Sequence, residues 1–298
     1  MVFSARIAAA AAVTAVLLAG CSPAPGDPSP TTTTTNTPTP TSESAIAPPV
    51  RSYVAIGDSF TAGPGLAELR DDAAFCLRSD HNWPSLLARR LDPTSFADVS
   101  CAGATTHDVL QRGSGPGAAR PQIDAVRPTT DLVTVGIGGN DGNLFASLIS
   151  ACTGGQEACG QFARGSAPAI LQRSVSDIAA VLSDIRDRAP EATVLLVGYL
   201  RIMPDSGSCA TIGIPDADAA AVSGAEELLD RTLADAAERA EVQYVSMRKA
   251  SRGHDACAGT GAWTNGAAVR DDDGVAFHPR LAGMQAVARA VEAELAKR

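Results

Sequence analysis

Basic residues are in the minority: 24 Lys and Arg stand against 33 Asp and Glu, a formal net charge of −9. No basic stripe is present to neutralise phosphates, which excludes nucleic acid as an expected partner; acidity of this size mainly favours solubility. Histidine is scarce, with four in 298 residues, and neither a CxxC pair nor a His-rich cluster offers a metal set, so no metal is expected. The apolar run "IAAAAAVTAVLLAG" (7–20) follows a lone Arg6 and is too short to span a bilayer comfortably.

That short run has the shape of a signal peptide covering residues 1–20. It ends in "LAGC", which resembles the lipobox of bacterial lipoproteins and implies acylation of Cys21 and a lipid anchor on the extracytoplasmic face of the membrane. The other reading is an ordinary secretory signal with an incidental cysteine. Residues 21–50, "CSPAPGDPSPTTTTTNTPTPTSESAIAPPV", hold almost no large apolar side chains and are rich in proline and threonine. Such a stretch cannot bury a core and reads as a tether. Residues 51–298 are then one domain of ordinary size, expected to be monomeric. Of seven cysteines, six remain once Cys21 is set aside, an even number that suggests three disulfides in an exported protein. Sequential pairing is the simplest of the 15 possible connectivities: Cys76–Cys101, Cys152–Cys159 and Cys209–Cys257.

Within the domain, apolar runs at 52–57, 97–100, 131–138, 193–199 and 242–246 read as strands buried on both faces. Helical patterns lie between them. "WPSLLARRL" opens with Pro84 in its first turn, and residues 168–188, 217–240 and 281–296 carry apolar positions at helical spacing. The alternation predicts a mostly parallel sheet covered on both sides. Ligands in open sheets of this kind bind outside the carboxyl ends of the strands.

Ser59 lies just past the carboxyl end of the first of these strands, in "AIGDSFTAG". Ser and Asp at a helix start are ordinarily caps, so this stretch alone does not identify a nucleophile. Three distant stretches supply the right chemistry. "CAGA" places Gly103 in a turn where a backbone N–H approaches a ligand unobstructed. "GGND" offers the Asn140 side-chain amide as a donor, and "FHP" offers His278 as a proton acceptor.

These four blocks, in order, resemble the SGNH hydrolases, also called GDSL lipases and esterases, and the cysteines with "HNWPSLLA" look like their secreted actinobacterial branch. The resemblance covers about residues 52–296. It implies a three-layer α/β/α, flavodoxin-like fold with five parallel strands and no cofactor. Ser59 would attack an ester carbonyl, and His278 would accept the serine proton. The N–H groups of Ser59 and Gly103, with the Asn140 amide, would form the oxyanion hole. The substrate would be a lipid or an acylated glycan. Polysaccharide O-deacetylation and acyl transfer are alternatives on the same scaffold, and a non-catalytic lipoprotein that binds lipid or sugar is a third.

One position departs from the family pattern. Three residues before His278, where an aspartate usually orients the imidazole, stands Val275. Two readings follow: a backbone carbonyl, most simply that of Val275, accepts the imidazole hydrogen bond, or the loop bulges and Asp273 turns inward. Phe60 reads as a hydrophobic swap for leucine, Asp58 and Asp141 as turn-ordering acids, and His81, His107 and His254 as surface or structural residues. Trp83 and Trp263 either line an acyl pocket or pack.

Overall fold

A computed structural model describes residues 49–111, 120–154, 156–269 and 271–298. The expected signal peptide, Cys21 and nearly all of the tether lie outside the described residues. Five strands form one sheet: β1 (Ser52–Gly57), β2 (Ser95–Asp98), β3 (Leu132–Gly136), β4 (Thr193–Val197) and β5 (Gln243–Val245). Their spatial order is β2-β1-β3-β4-β5, and every pairing is parallel. The second strand begins two residues earlier than its apolar run suggests. Beyond Asp98 the chain still follows β1, with Val99 N and Cys101 N donating to Ala55 O and Gly57 O at 2.9 Å each.

The helices are α1 (Ser59–Ala62), α2 (Trp83–Leu91), α3 (Thr106–Leu110), α4 (Leu144–Gly154), α5 (Gln156–Arg164), α6 (Ser166–Arg188), α7 (Asp216–Arg239), α8 (Met247–Ala250) and α9 (Leu281–Leu295). Side chains alternate across a strand, so β1 divides its residues between two cores. Tyr53 and Ala55 join Trp83 and Leu87 of α2 and Met284, Val287 and Val291 of α9 on one face. Val54 and Ile56 join the apolar stripes of α6 and α7 on the other, among them Ile178, Leu182, Leu229 and Leu233. Three layers result. Burying each such side chain contributes about 1.5–3 kcal/mol.

The α2 start follows from its sequence: Asn82 caps it by accepting from Ser85 N at 2.9 Å, and Pro84 occupies the first turn. Helix α4 has no clear apolar stripe in the sequence because it is apolar on more than one side. Its Leu144 is core, while Phe145, Leu148 and Ile149 line a cavity. The disulfides are Cys76–Cys101, Cys152–Cys159 across the α4–α5 junction, and Cys209–Cys257. Among the described residues no helix is long and apolar enough to cross a membrane.

Candidate active site

The direction of chain connection changes between β1 and β3, the place where open sheets leave a crevice. In register Gly57 faces Gly136, so both strands end together and release their loops side by side. Gly57 is required by crowding: a Cβ there would meet the Thr61 side chain at 2.2 Å and Gly136 O at 2.9 Å. Its backbone is clasped by Gln122, whose Oε1 accepts from Gly57 N at 2.8 Å and whose Nε2 donates to Gly57 O at 3.0 Å. Asp58 then caps α1 through Phe60 N at 2.9 Å. Ser59 emerges at the first position of that helix.

His278 Nε2 lies 2.8 Å from Ser59 Oγ. Its Nδ1 lies 2.8 Å from the carbonyl oxygen of Ala276. A carbonyl only accepts, so Nδ1 carries the ring proton and Nε2 is left as the acceptor for the serine hydroxyl. The carbonyl in contact is that of Ala276, which corrects the assignment to Val275. The backbone reason is Phe277, held in the left-handed region at φ +58°, which turns the preceding carbonyl back towards the ring. The Val275 carbonyl is used instead by His278 N at 3.3 Å and Asn265 Nδ2 at 3.3 Å. Asp273 does not turn inward either. It accepts from Arg280 Nε at 2.7 Å and from Leu281 N at 2.9 Å, fastening the start of α9.

Burial lowers the His278 pKa below the usual histidine value, against the raising effect of the Ala276 carbonyl. The Phe60 ring packs against the imidazole with centroids 5.1 Å apart, a contact that reading Phe60 as a swap for leucine did not anticipate.

Gly103 has φ +83° and open space where a Cβ would sit. Among the described residues, neither the Gly103 N–H nor the Ser59 N–H donates to another residue. The Asn140 amide donates to Ala104 O at 3.0 Å, which leaves its second N–H for a ligand. Ser59, Gly103, Asn140 and His278 all line one cavity of about 370 Å³, whose walls include Phe60, Phe145, Leu148, Ile149, Met203 and Val222. Neither tryptophan lines it: Trp83 is buried in the α2–α9 core, and Trp263 stacks on His254 at 4.0 Å.

Two buried acids tie the loops together. The Tyr199 hydroxyl donates to Asp58 Oδ2 and accepts from Gly139 N at 2.7 Å, so one phenol joins the serine turn to the asparagine loop. Burial lifts the Asp58 pKa to about 7, although the Tyr199 and Phe60 hydrogen bonds pull it down. Asp141 Oδ1 accepts from Thr106 N at 2.9 Å and so holds the asparagine loop to the segment after Gly103. Tyr199 carries no motif, and its role was invisible in the sequence. Among the described residues, no group of three or more His, Cys, Asp or Glu is arranged to hold a metal.

The model of the GDSL-like Lipase/Acylhydrolase family matches residues 55–286. The chain belongs to that family. It is 34% identical over 230 residues to Lipase 2 of Streptomyces coelicolor, covering 73% of this chain and 76% of that one. It is 31% identical over 247 residues to a lipase of Streptomyces rimosus, covering 81% and 86%. Among solved structures, the extracellular lipase of Streptomyces rimosus superposes with a TM-score of 0.72 at 29% identity, covering 81% of this chain and 98% of that one. Phospholipase A1 of Streptomyces albidoflavus NA297 superposes with a TM-score of 0.70 at 28% identity, covering 82% and 99%. The family member described here is a carboxylic ester hydrolase with a five-stranded parallel SGNH fold.

Proposed function

We propose that the chain cleaves carboxylic esters through an acyl-enzyme on Ser59, with His278 as the single proton shuttle. The observation that carries this reading is the 2.8 Å contact between His278 Nε2 and Ser59 Oγ, inside a cavity shared with Gly103 and Asn140. Nε2 accepts the hydroxyl proton as Oγ bonds to the ester carbon. The carbonyl oxygen becomes an oxyanion and accepts from Ser59 N–H, Gly103 N–H and the free Asn140 N–H. Each such donor lowers the barrier by roughly 2.7–4 kcal/mol. The imidazolium then gives its proton to the departing alcohol, and water repeats the sequence to release the acid.

A carbonyl orients His278 without supplying the negative charge that a carboxylate gives to imidazolium. Burial lowers the proton affinity of the base and the neutral carbonyl offsets this only in part, so the imidazole stays neutral to lower pH. The largely apolar walls and the size of the cavity, within the range of ligand-sized pockets, fit an aliphatic acyl chain better than acetyl. This favours a lipid ester over an O-acetylated glycan. Three disulfides suit an oxidising compartment outside the cytoplasm, and acylation of Cys21 would hold the domain at the membrane.

Ser59→Ala tests the reading. Hydrolysis of a chromogenic ester and labelling by a fluorophosphonate should both disappear while the urea midpoint stays in place. Retained hydrolysis would overturn it.

A further inference from the structure

The mouth of the cavity carries apolar side chains turned towards solvent. Leu77 is 41% exposed and Val275 37% exposed, and both line the cavity. Phe75, two residues before Leu77, is 59% exposed, and Leu69, on the same loop, is 53% exposed. Isolated exposed leucines are ordinary, but here two apolar side chains stand at the opening and two more lie on the segment that carries Leu77, turned to solvent.

The loops that carry these residues are fixed. Leu66 bridges Asp273, and Leu69 bridges Ser79. Val275 N donates to Pro64 O at 3.2 Å, and Gly274 N donates to Gly65 O at 2.9 Å. The Cys76–Cys101 disulfide anchors the 71–76 turn beside Gly103. Leu77 itself is held in the left-handed region at φ +55°, a conformation unfavourable for a non-glycine residue. The apolar rim is thus presented by a constrained backbone.

Charge selects the occupant. Glu68, Asp71, Asp271 and Asp272 are exposed on the same two segments. The adjacent guanidiniums of Arg70 and Arg280 are engaged by Asp72 at 2.9 Å and Asp273 at 2.7 Å. An anionic surface would be repelled here, whereas headgroups with an outer cation, such as choline, meet carboxylates.

Resting on the ester-hydrolase reading of the Ser59 site, we infer that Leu69, Phe75, Leu77 and Val275 form a docking surface for aggregated zwitterionic lipid. The rim seats on the lipid surface with the cavity mouth facing it. An acyl chain then passes from the lipid phase to Ser59 without crossing water.

The test uses the full chain and two variants at Leu69 and Phe75, which do not line the cavity. In Phe75→Trp, phosphatidylcholine vesicles should produce a blue-shifted emission beyond that of the unaltered chain, and adding phosphatidylglycerol should weaken it. A double variant, Leu69→Ser with Phe75→Ser, should hydrolyse a dissolved short-chain ester at the unaltered rate. Its rate on phosphatidylcholine vesicles should fall by about tenfold, the order expected from losing two apolar contacts with lipid.

An unshifted emission, equal losses on dissolved and vesicular ester, or a patch that instead changes the elution volume of the free chain would overturn the inference. An emission shift in a chain that hydrolyses no ester would refute the catalytic reading and leave the docking surface standing.

Discussion

Replacing Tyr199 by phenylalanine removes one oxygen and breaks two buried contacts, those to Asp58 Oδ2 and Gly139 N. A hydrogen bond to a charged group contributes about 1.5–3 kcal/mol, a neutral one about 1 kcal/mol, and a stranded buried N–H costs about 1–3 kcal/mol. The ionisation of Asp58 decides which value applies. Its pKa rises to about 7 from 3.8, so in the folded protein the carboxyl is mostly neutral at pH 5 and ionised at pH 8.5. The substitution should therefore cost about 2.5–6 kcal/mol at pH 8.5 and about 2–4 kcal/mol at pH 5.

The unaltered protein has its own pH dependence from the same group. A raised carboxyl pKa stabilises the fold fully below the unfolded value, and that stability is lost as pH rises through about 7. The rise from 3.8 to about 7 corresponds to about 4 kcal/mol. Urea unfolding of both proteins at the two pH values, with disulfides intact, reads these differences. Loosening the asparagine loop should also lower kcat by about tenfold with little change in KM. A cost that is identical at both pH values, or below about 0.5 kcal/mol, would refute the claim that the phenol bridges an acid to the loop.

The remaining predictions concern the site. The acid limb of kcat/KM should fall below the ordinary histidine value of about 6.5, because burial disfavours imidazolium; pH–rate profiles on a dissolved ester check this. Gly103→Ala has room for its methyl but not a favourable φ; kcat should drop by about 10²-fold as the donor shifts, with a stability loss of about 1–2 kcal/mol by chemical denaturation. Asp273→Asn should lower thermal stability, since Asp273 holds Arg280 and Leu281 N, yet leave kcat within about threefold. A loss of about 10⁴-fold, the scale seen when a histidine loses its carboxylate partner, would reinstate Asp273 as the orienter.

Much of the fold was legible because its signals are local. Buried strands such as "TVLLV" and the stripe through Ile178, Leu182 and Ile185 declare their period without help from distant residues. The boundary of β2 was misread because Ser95 and Phe96 sit on an edge strand, where pairing with β1 rather than apolar character defines the element. At the site, Ser59, Gly103, Asn140 and His278 stood out as motif residues. Ala276 and Tyr199 did not. The first acts through its carbonyl, which every residue type possesses. The second matters only because β4 delivers its hydroxyl next to Asp58, a separation of 141 residues.

Because the group that steadies His278 belongs to the main chain, no single side-chain replacement deletes it. The posture of the base is written in the path of residues 275–278, pinned where Phe277 N donates to Gly266 O at 3.0 Å and Asn265 N donates to His278 O at 2.9 Å. Anyone grafting this shuttle onto another scaffold would have to transplant the whole turn with its buttress. Random mutagenesis would find weak spots in that buttress rather than in the acceptor.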